Sequence, residues 1–168
     1  LIGLVAALRS AAVPLEVWTA RMGVARGEDV LDITRKGADP VGVIFAPSDA
    51  LLIPILAARK RQRRLFATCF DTPRAQLVEE ARAIEEEAWA WYVPRYLDEM
   101  RASYRRQRRA WDALLARERV CLVCFCPKAE RCHRTVLATQ ILPRLGATFV
   151  REIEREKRQV ELPTAPHT

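Results

Sequence analysis

No stretch of this 168-residue chain is both apolar enough and long enough to span a bilayer, so no membrane association is expected. The apolar start, Leu1–Leu8, is interrupted by Arg9 and lacks a convincing small-residue cleavage site, so no secretion signal is expected. No internal repeat stands out, which argues against a solenoid or propeller. Histidine is scarce, with two in the chain. His167 lies in the tail and is read as idle, so imidazole chemistry rests on His133. The cysteines are odd in number and form no plausible disulfide framework. Four of the five, Cys121, Cys124, Cys126 and Cys132, crowd into twelve positions on and beside one expected strand, with Cys69 apart. A reducing compartment suits them, and a cytoplasmic location is expected.

What is present fits one compact domain. Half of the residues are hydrophobic, enough for a sizeable core, and the length suits a single unit over residues 1–158 with a loose tail at 159–168. The net charge is +7, from 28 Lys and Arg against 21 Asp and Glu. That excess favours nucleic acid, a nucleotide or an acidic protein partner, although a merely basic surface explains it as well.

Local patterns predict a helix or strand at Leu1–Leu8, strands at Leu15–Met22 and Val30–Thr34, and a short apolar run at Val41–Phe45. Ser48 or Asp49 caps a helix through about Arg61. The basic run Arg59–Arg64 is either a helix end or a solvated loop. A long helix opens at Thr72-Pro73 and is expected to break at Pro94, with a second running to about Arg117. Val120–Phe125 is the clearest strand, Cys132–Leu142 reads as a helix, and Ala147–Ile153 is a last strand. Strands at both ends with helices between predict an α/β fold, a mostly parallel central sheet flanked by helices in a Rossmann-like manner. Ligands in such sheets bind at the carboxyl ends of strands, where Asp32–Arg35 and Cys124–Arg134 both fall.

The second of these segments carries the most chemistry. A strand puts Cys124 and Cys126 on one face by its period of two. The adjoining loop turns into a helix beginning at Cys132, His133 and Arg134. A helix start is an anion site, and a thiol there has a lowered pKa, so Cys132 is expected to be more reactive than strand-buried Cys121. Arg131 and Arg134 add bidentate donors for phosphate or carboxylate. Four readings stay open. They are a Cys132 nucleophile assisted by His133 or Arg134, a zinc site of Cys124, Cys126, Cys132 and His133, a phosphate cradle without covalent chemistry, and simple packing of small cysteines. The zinc spacing, C-x-C-x5-C-H, lacks the paired C-x2-C knuckles of common structural sites. The C-x5-R phosphatase loop is absent, since the sixth residue after Cys126 is Cys132 and after Cys124 is Glu130.

The segment LVCFCPKAERCHRTVLA resembles the Cys-His-Arg signature of the domain of unknown function 488 family. VWTARMG is similar to that family's first strand, LDITRKGADPVGVIFAPS to a subgroup's Asp-containing second strand, and LGATFVREI to its last. Many relatives have Glu where this chain has Cys126. The resemblance implies an α/β fold and a shared site, with no assigned activity.

Together these features lead to an expected nucleotide- or nucleic-acid-processing protein. Cys132, His133 and Arg134 are its catalytic candidates, and Asp32, Arg35, Arg131 and Cys124 are its substrate-binding candidates. Thr34, Thr19 and Arg21 have weaker claims. The alternative is a non-catalytic nucleic-acid-binding or assembly subunit with structural zinc. Arg101, Arg105, Arg108 and Arg109 share one face of the second helix by i, i+4, i+7, i+8 spacing, and with Arg59–Arg64 they form a candidate nucleic-acid surface. A solvated helix face accounts for them equally, and glutamates in Glu79–Glu87 can fold back on them. Trp89, Tyr92 and Tyr96 can stack bases, but core packing suits them better.

Overall fold

Short β-branched and apolar runs form the four strands of one sheet: Glu16–Arg21 (β1), Val30–Asp32 (β2), Arg119–Cys124 (β3) and Thr148–Ile153 (β4). The computed structural model describes residues 13–37 and 39–154, so the expectations for Leu1–Leu8, the tail and His167 lie outside the described residues. The strand order is β2-β3-β1-β4, and every pairing is parallel. β3 is buried from Val120 onward, as a strand covered on both faces must be. Helices flank the sheet, and the chain forms a single compact domain of the Rossmann-like α/β kind.

After β2 the chain turns sharply. Asp32 Oδ1 accepts the Thr34 N–H at 2.9 Å, and Asp39 Oδ1 accepts those of Val41 and Gly42, each at 2.9 Å. Gly42 opens a 3-10 turn, Gly42–Phe45, and sits so close to the Asp32 backbone carbonyl that a β-carbon would collide with it. Helix α1, Asp49–Thr68, runs seven residues beyond the expected end, so Arg59–Arg64 is helical throughout. Its start is held from outside. The backbone N–H and the hydroxyl of Ser48 both donate to the Glu99 carboxylate at 2.8 Å.

Helix α2, Arg74–Arg106, passes straight through Pro94. An internal proline costs about 3 kcal/mol of helix propensity. Burial of Tyr92, Tyr96 and Met100 on the inner face outweighs that cost. Arg95 also donates to the Trp91 carbonyl at 2.9 Å in the turn that the proline disturbs. The break comes later, at Gln107, and α3 spans Arg108–Leu115. Arg101 and Arg105 therefore lie on one helix and Arg108 and Arg109 on the next, which corrects their expected common face. The expected helix after Cys132 is one α turn, His133–Val136 (α4). It widens into a π segment, Leu137–Ile141, and tightens into a 3-10 turn, Leu142–Leu145. Gly146 ends it with φ of 95°.

The core joins these helices to the sheet. Trp111 is fully buried, meets the rings of Phe45 and Tyr104 edge-on at 4.8 and 5.5 Å, and donates from Nε1 to Ser103 Oγ at 3.2 Å. Replacing it by alanine opens a cavity and leaves that hydroxyl with one partner fewer. Trp111→Ala is expected to cost about 3–5 kcal/mol of stability, read from urea unfolding. A loss below about 1 kcal/mol would contradict this packing.

Candidate functional site

Four parallel strands end on one edge of the sheet, and the register pairs Arg21 with Cys124 and Asp32 with Val123. β3 delivers Cys124 inward, Phe125 points out at 66% exposed, and Cys126 turns back so that its Sγ lies 3.7 Å from that of Cys124. The Pro127–Arg131 loop then crosses the edge, tied down by the Thr135 hydroxyl donating to the Ala129 carbonyl at 2.7 Å. Cys132 caps α4 in an extended conformation and is 1% exposed.

His133 is oriented from the opposite strand. Its Nε2 lies 2.8 Å from the Ile33 carbonyl just past β2. A carbonyl can only accept, so Nε2 carries the proton and Nδ1 presents a lone pair. That lone pair is 3.9 Å from both Cys124 Sγ and Cys132 Sγ. Burial lowers the His133 pKa and keeps the ring neutral. The Tyr96 ring meets it edge-on at 5.9 Å. The end of β2 and the cysteine loop therefore converge, but through Ile33, because the Asp32 carboxylate is engaged in its own turn.

Arg134 is completely buried. It donates to both oxygens of Glu152, at 2.9 Å from Nη2 and 3.3 Å from Nε. Its Nη1 reaches the Cys126 carbonyl at 3.0 Å and Cys132 Sγ at 3.4 Å. Glu152 also accepts the Thr19 hydroxyl at 2.5 Å, so this carboxylate links β1, β4 and the cysteine loop. Arg134 faces protein groups rather than an incoming anion. Arg59 of α1 takes a comparable position, with its two terminal nitrogens 3.7 and 3.6 Å from Cys126 Sγ and Nη2 donating to the Arg131 carbonyl at 3.2 Å. In the sequence Arg59 was one of six residues in a basic run and Glu152 carried no signal.

The thiols differ sharply. Burial pushes the Cys132 thiol well up, with hydrogen bonds to Cys124 and Cys126 acting the same way. Hydrogen bonds from Cys124 and Cys132, joined by Arg59, push half-buried Cys126 down. Cys121 is raised to about 11 by burial. Cys132 is less exposed than Cys121, and only one α turn follows it, which removes both grounds for expecting it to be the more reactive. All five cysteines are free thiols.

Two cavities flank the 127–131 loop. On the α1 and α2 side a groove of about 630 Å³ is lined by Arg59, Arg63, Arg82, Lys128 and Arg131, with Glu85 as its one carboxylate. Beyond the ends of β1 and β4 a second, of about 670 Å³, mixes Arg21 and Lys128 with Glu130, Glu152 and Glu154. Arg35 is outside both, exposed and 3.6 Å from Asp49. Arg101 pairs with Asp98 at 2.6 Å and Arg108 with Asp112 at 2.8 Å, while Arg109 is exposed. Arg101 and Arg105 join Arg144 around a hollow of about 270 Å³ over Trp111. Trp89, Tyr92 and Tyr96 stack on one another at 5.2 and 5.6 Å, and both tyrosines are buried core.

A family model described as "Active DUF488-N3 subclade" matches residues 72–145. That span runs from the start of α2 to the 3-10 turn and holds Cys124, Cys126, Cys132, His133 and Arg134, but excludes β1, β2 and β4. No curated protein and no solved structure matches the chain.

Loss of Arg134 would strand Glu152 with only the Thr19 hydroxyl. Arg134→Ala is expected to cost about 3 kcal/mol in denaturant unfolding, the low end for a broken buried pair because Glu152 is partly solvated. The exposed Arg35→Ala is expected to stay within about 0.5 kcal/mol of the parent. Equal effects of the two would mean that Arg134 is not the clamp described.

Proposed function

The family-model match supports this chain as a DUF488 member, of unknown function, and on that premise we propose that it processes a nucleotide or nucleic acid held by phosphate in the groove between α1, α2 and the 127–131 loop. The observation that carries the reading is the charge of that groove, with five cations around one carboxylate, although Arg82 is also paired with Glu86 at 3.0 Å. Arginine forks match phosphate oxygens, and Lys128 adds a mobile point charge. Arg63 and Lys128 are exposed and open to a ligand, whereas Arg59 backs the wall by holding Cys126 and the loop. Phe66 and Val78 supply apolar surface for a base or sugar face.

No cysteine or histidine lines this groove. That favours recognition of phosphate there over attack by Cys132, which is sealed behind the wall, and gives Cys132, His133 and Arg134 a supporting role. The description of the matched subclade as active supports an enzyme over a bare binding surface. Free thiols fit a cytoplasmic setting. No helix among the described residues is long and apolar enough to cross a membrane. A separate nucleic-acid face at Arg101–Arg109 has less support, because Arg101 and Arg108 already hold aspartates.

Anisotropy titrations with labelled single- and double-stranded oligonucleotides, and competition by a nucleotide panel, test this reading. Binding is expected at low salt and should weaken steeply as salt rises, because neutralised phosphates release counterions. Arg63→Glu with Lys128→Glu should lower affinity at least about tenfold and reduce the salt slope by about 1–2. Arg101→Glu with Arg105→Glu should change it by less than about twofold. No binding at low salt would leave an acidic protein partner as the occupant, and loss confined to the Arg101 and Arg105 pair would move the site to the other face.

A further inference from the structure

We propose that Cys124, Cys126, Cys132 and His133 form a tetrahedral site for a single zinc ion, a Cys3His centre at the carboxyl edge of the sheet. This stands independently of the groove and its ligand. The ligand atoms of Cys124, Cys132 and His133 all lie within 4.8 Å of one another, and the three residues are buried. Zinc bonds of about 2.3 Å to sulfur and about 2.0–2.1 Å to nitrogen set tetrahedral edges of about 3.8 Å for S–S and about 3.6 Å for S–N. Cys124 Sγ and Cys126 Sγ are 3.7 Å apart, and His133 Nδ1 is 3.9 Å from each of Cys124 Sγ and Cys132 Sγ. Cys126 touches the cluster through Cys124, so closure onto an ion needs its side chain to swing toward Cys132 and His133 and the separations of up to 4.8 Å among the other three ligand atoms to shorten.

Contact distances alone would also fit packed thiols, so the histidine decides. A neutral buried imidazole that served only packing would turn its acceptor nitrogen toward a good donor. Here Nδ1 faces two sulfurs, which are weak donors. The proton is fixed on the far nitrogen by the Ile33 carbonyl, the outer-sphere bond that orients a metal-bound histidine. The charges agree as well. Three thiolates and a histidine leave a zinc centre with one net negative charge. Arg134 donates to Cys132 Sγ at 3.4 Å and Arg59 reaches Cys126 Sγ at 3.6 and 3.7 Å. Arg134 also holds Glu152 and the Cys126 carbonyl, and Arg59 the Arg131 carbonyl, but the guanidinium nitrogens that each aims at sulfur suit a thiolate better than a neutral thiol. Soft thiolates with imidazole select zinc over magnesium or calcium.

On binding, the three thiols release their protons to solvent and the sulfurs become the ligands. With four protein ligands the centre is closed, so its role is to fasten the end of β3, the 127–131 loop and α4 to one point. The loop carries Lys128 and Arg131.

The full chain, expressed in zinc-supplemented medium and purified under reducing conditions without metal-affinity resin, is expected to hold one zinc per chain by elemental analysis. After removal of the metal, cobalt(II) should give thiolate charge-transfer and tetrahedral ligand-field bands that saturate at one equivalent. X-ray absorption should show three sulfurs at about 2.3 Å and one nitrogen at about 2.0 Å. Cys132→Ser reports little if the chain fails to fold, so the deciding pair is half-buried Cys126→Ser and Cys121→Ser. Cys126→Ser should weaken cobalt binding at least about tenfold and shift the bands. Cys121→Ser, buried but outside the cluster, should bind as the parent does. The proposal is overturned if the reduced chain retains no zinc and gives no cobalt spectrum. Equal loss in the two variants, or fewer than three sulfurs around the metal, overturns it equally.

Discussion

The hydrogen bond between His133 Nε2 and the Ile33 carbonyl joins residues a hundred positions apart and fixes the chemistry of everything around it. It selects the imidazole tautomer, and the tautomer decides which nitrogen faces the cysteines. It also closes a gap that strand pairing leaves open, since β2 is three residues long and ends at Asp32. The carbonyl is available only because the chain bends just beyond it. Gly42, with no side chain, lets the next turn lie against Asp32. A side chain at Gly42 would therefore act at a distance, moving the β2 end and with it the imidazole.

Arg134 and Arg59 form a second layer. One is buried within the domain and the other reaches in from α1, yet both direct guanidinium nitrogens at sulfur. Each also bonds a backbone carbonyl of the loop, at Cys126 and Arg131 respectively. The loop is thus gripped at both ends by cations, while its outer surface adds Lys128 to the groove. A buried ion pair is weak evidence of net stabilisation. Its value here is positional, because Glu152 ties the same arginine to β1 and β4.

Much of the fold was legible because strand periodicity and helix caps are local. β1, β3 and β4 fell within a residue or two of their expected limits, and α1 began where Ser48 and Asp49 pointed. Pro94 misled because propensity is a local cost and the burial of Tyr92 and Tyr96 is a tertiary gain. The arginines of 101–109 misled for the opposite reason, since nothing nearby marks Gln107 as a helix end. At the site, residue types and spacing singled out Cys124, Cys132 and His133, which the fold brings together. They could not show that Arg134 is sealed inside, because its partner Glu152 lies on another strand. Nor could they separate Arg59 from five neighbouring basic-run residues, since only helix phase selects the one that points at Cys126.

The π segment Leu137–Ile141 has a consequence for how this region can vary in length. A widened turn takes up about one residue more than an α turn while keeping the phase of the residues beyond it. Leu142 is fully buried and Gln140 exposed on the far side of it. Had the segment stayed α-helical with the same residues, everything after it, beginning with Leu142, would be rotated by about 100° out of its present surroundings. The bulge is therefore a point where one residue can be lost between Leu137 and Ile141 with both flanks kept in place, whereas a deletion within α4 or the 3-10 turn has no slack to absorb it.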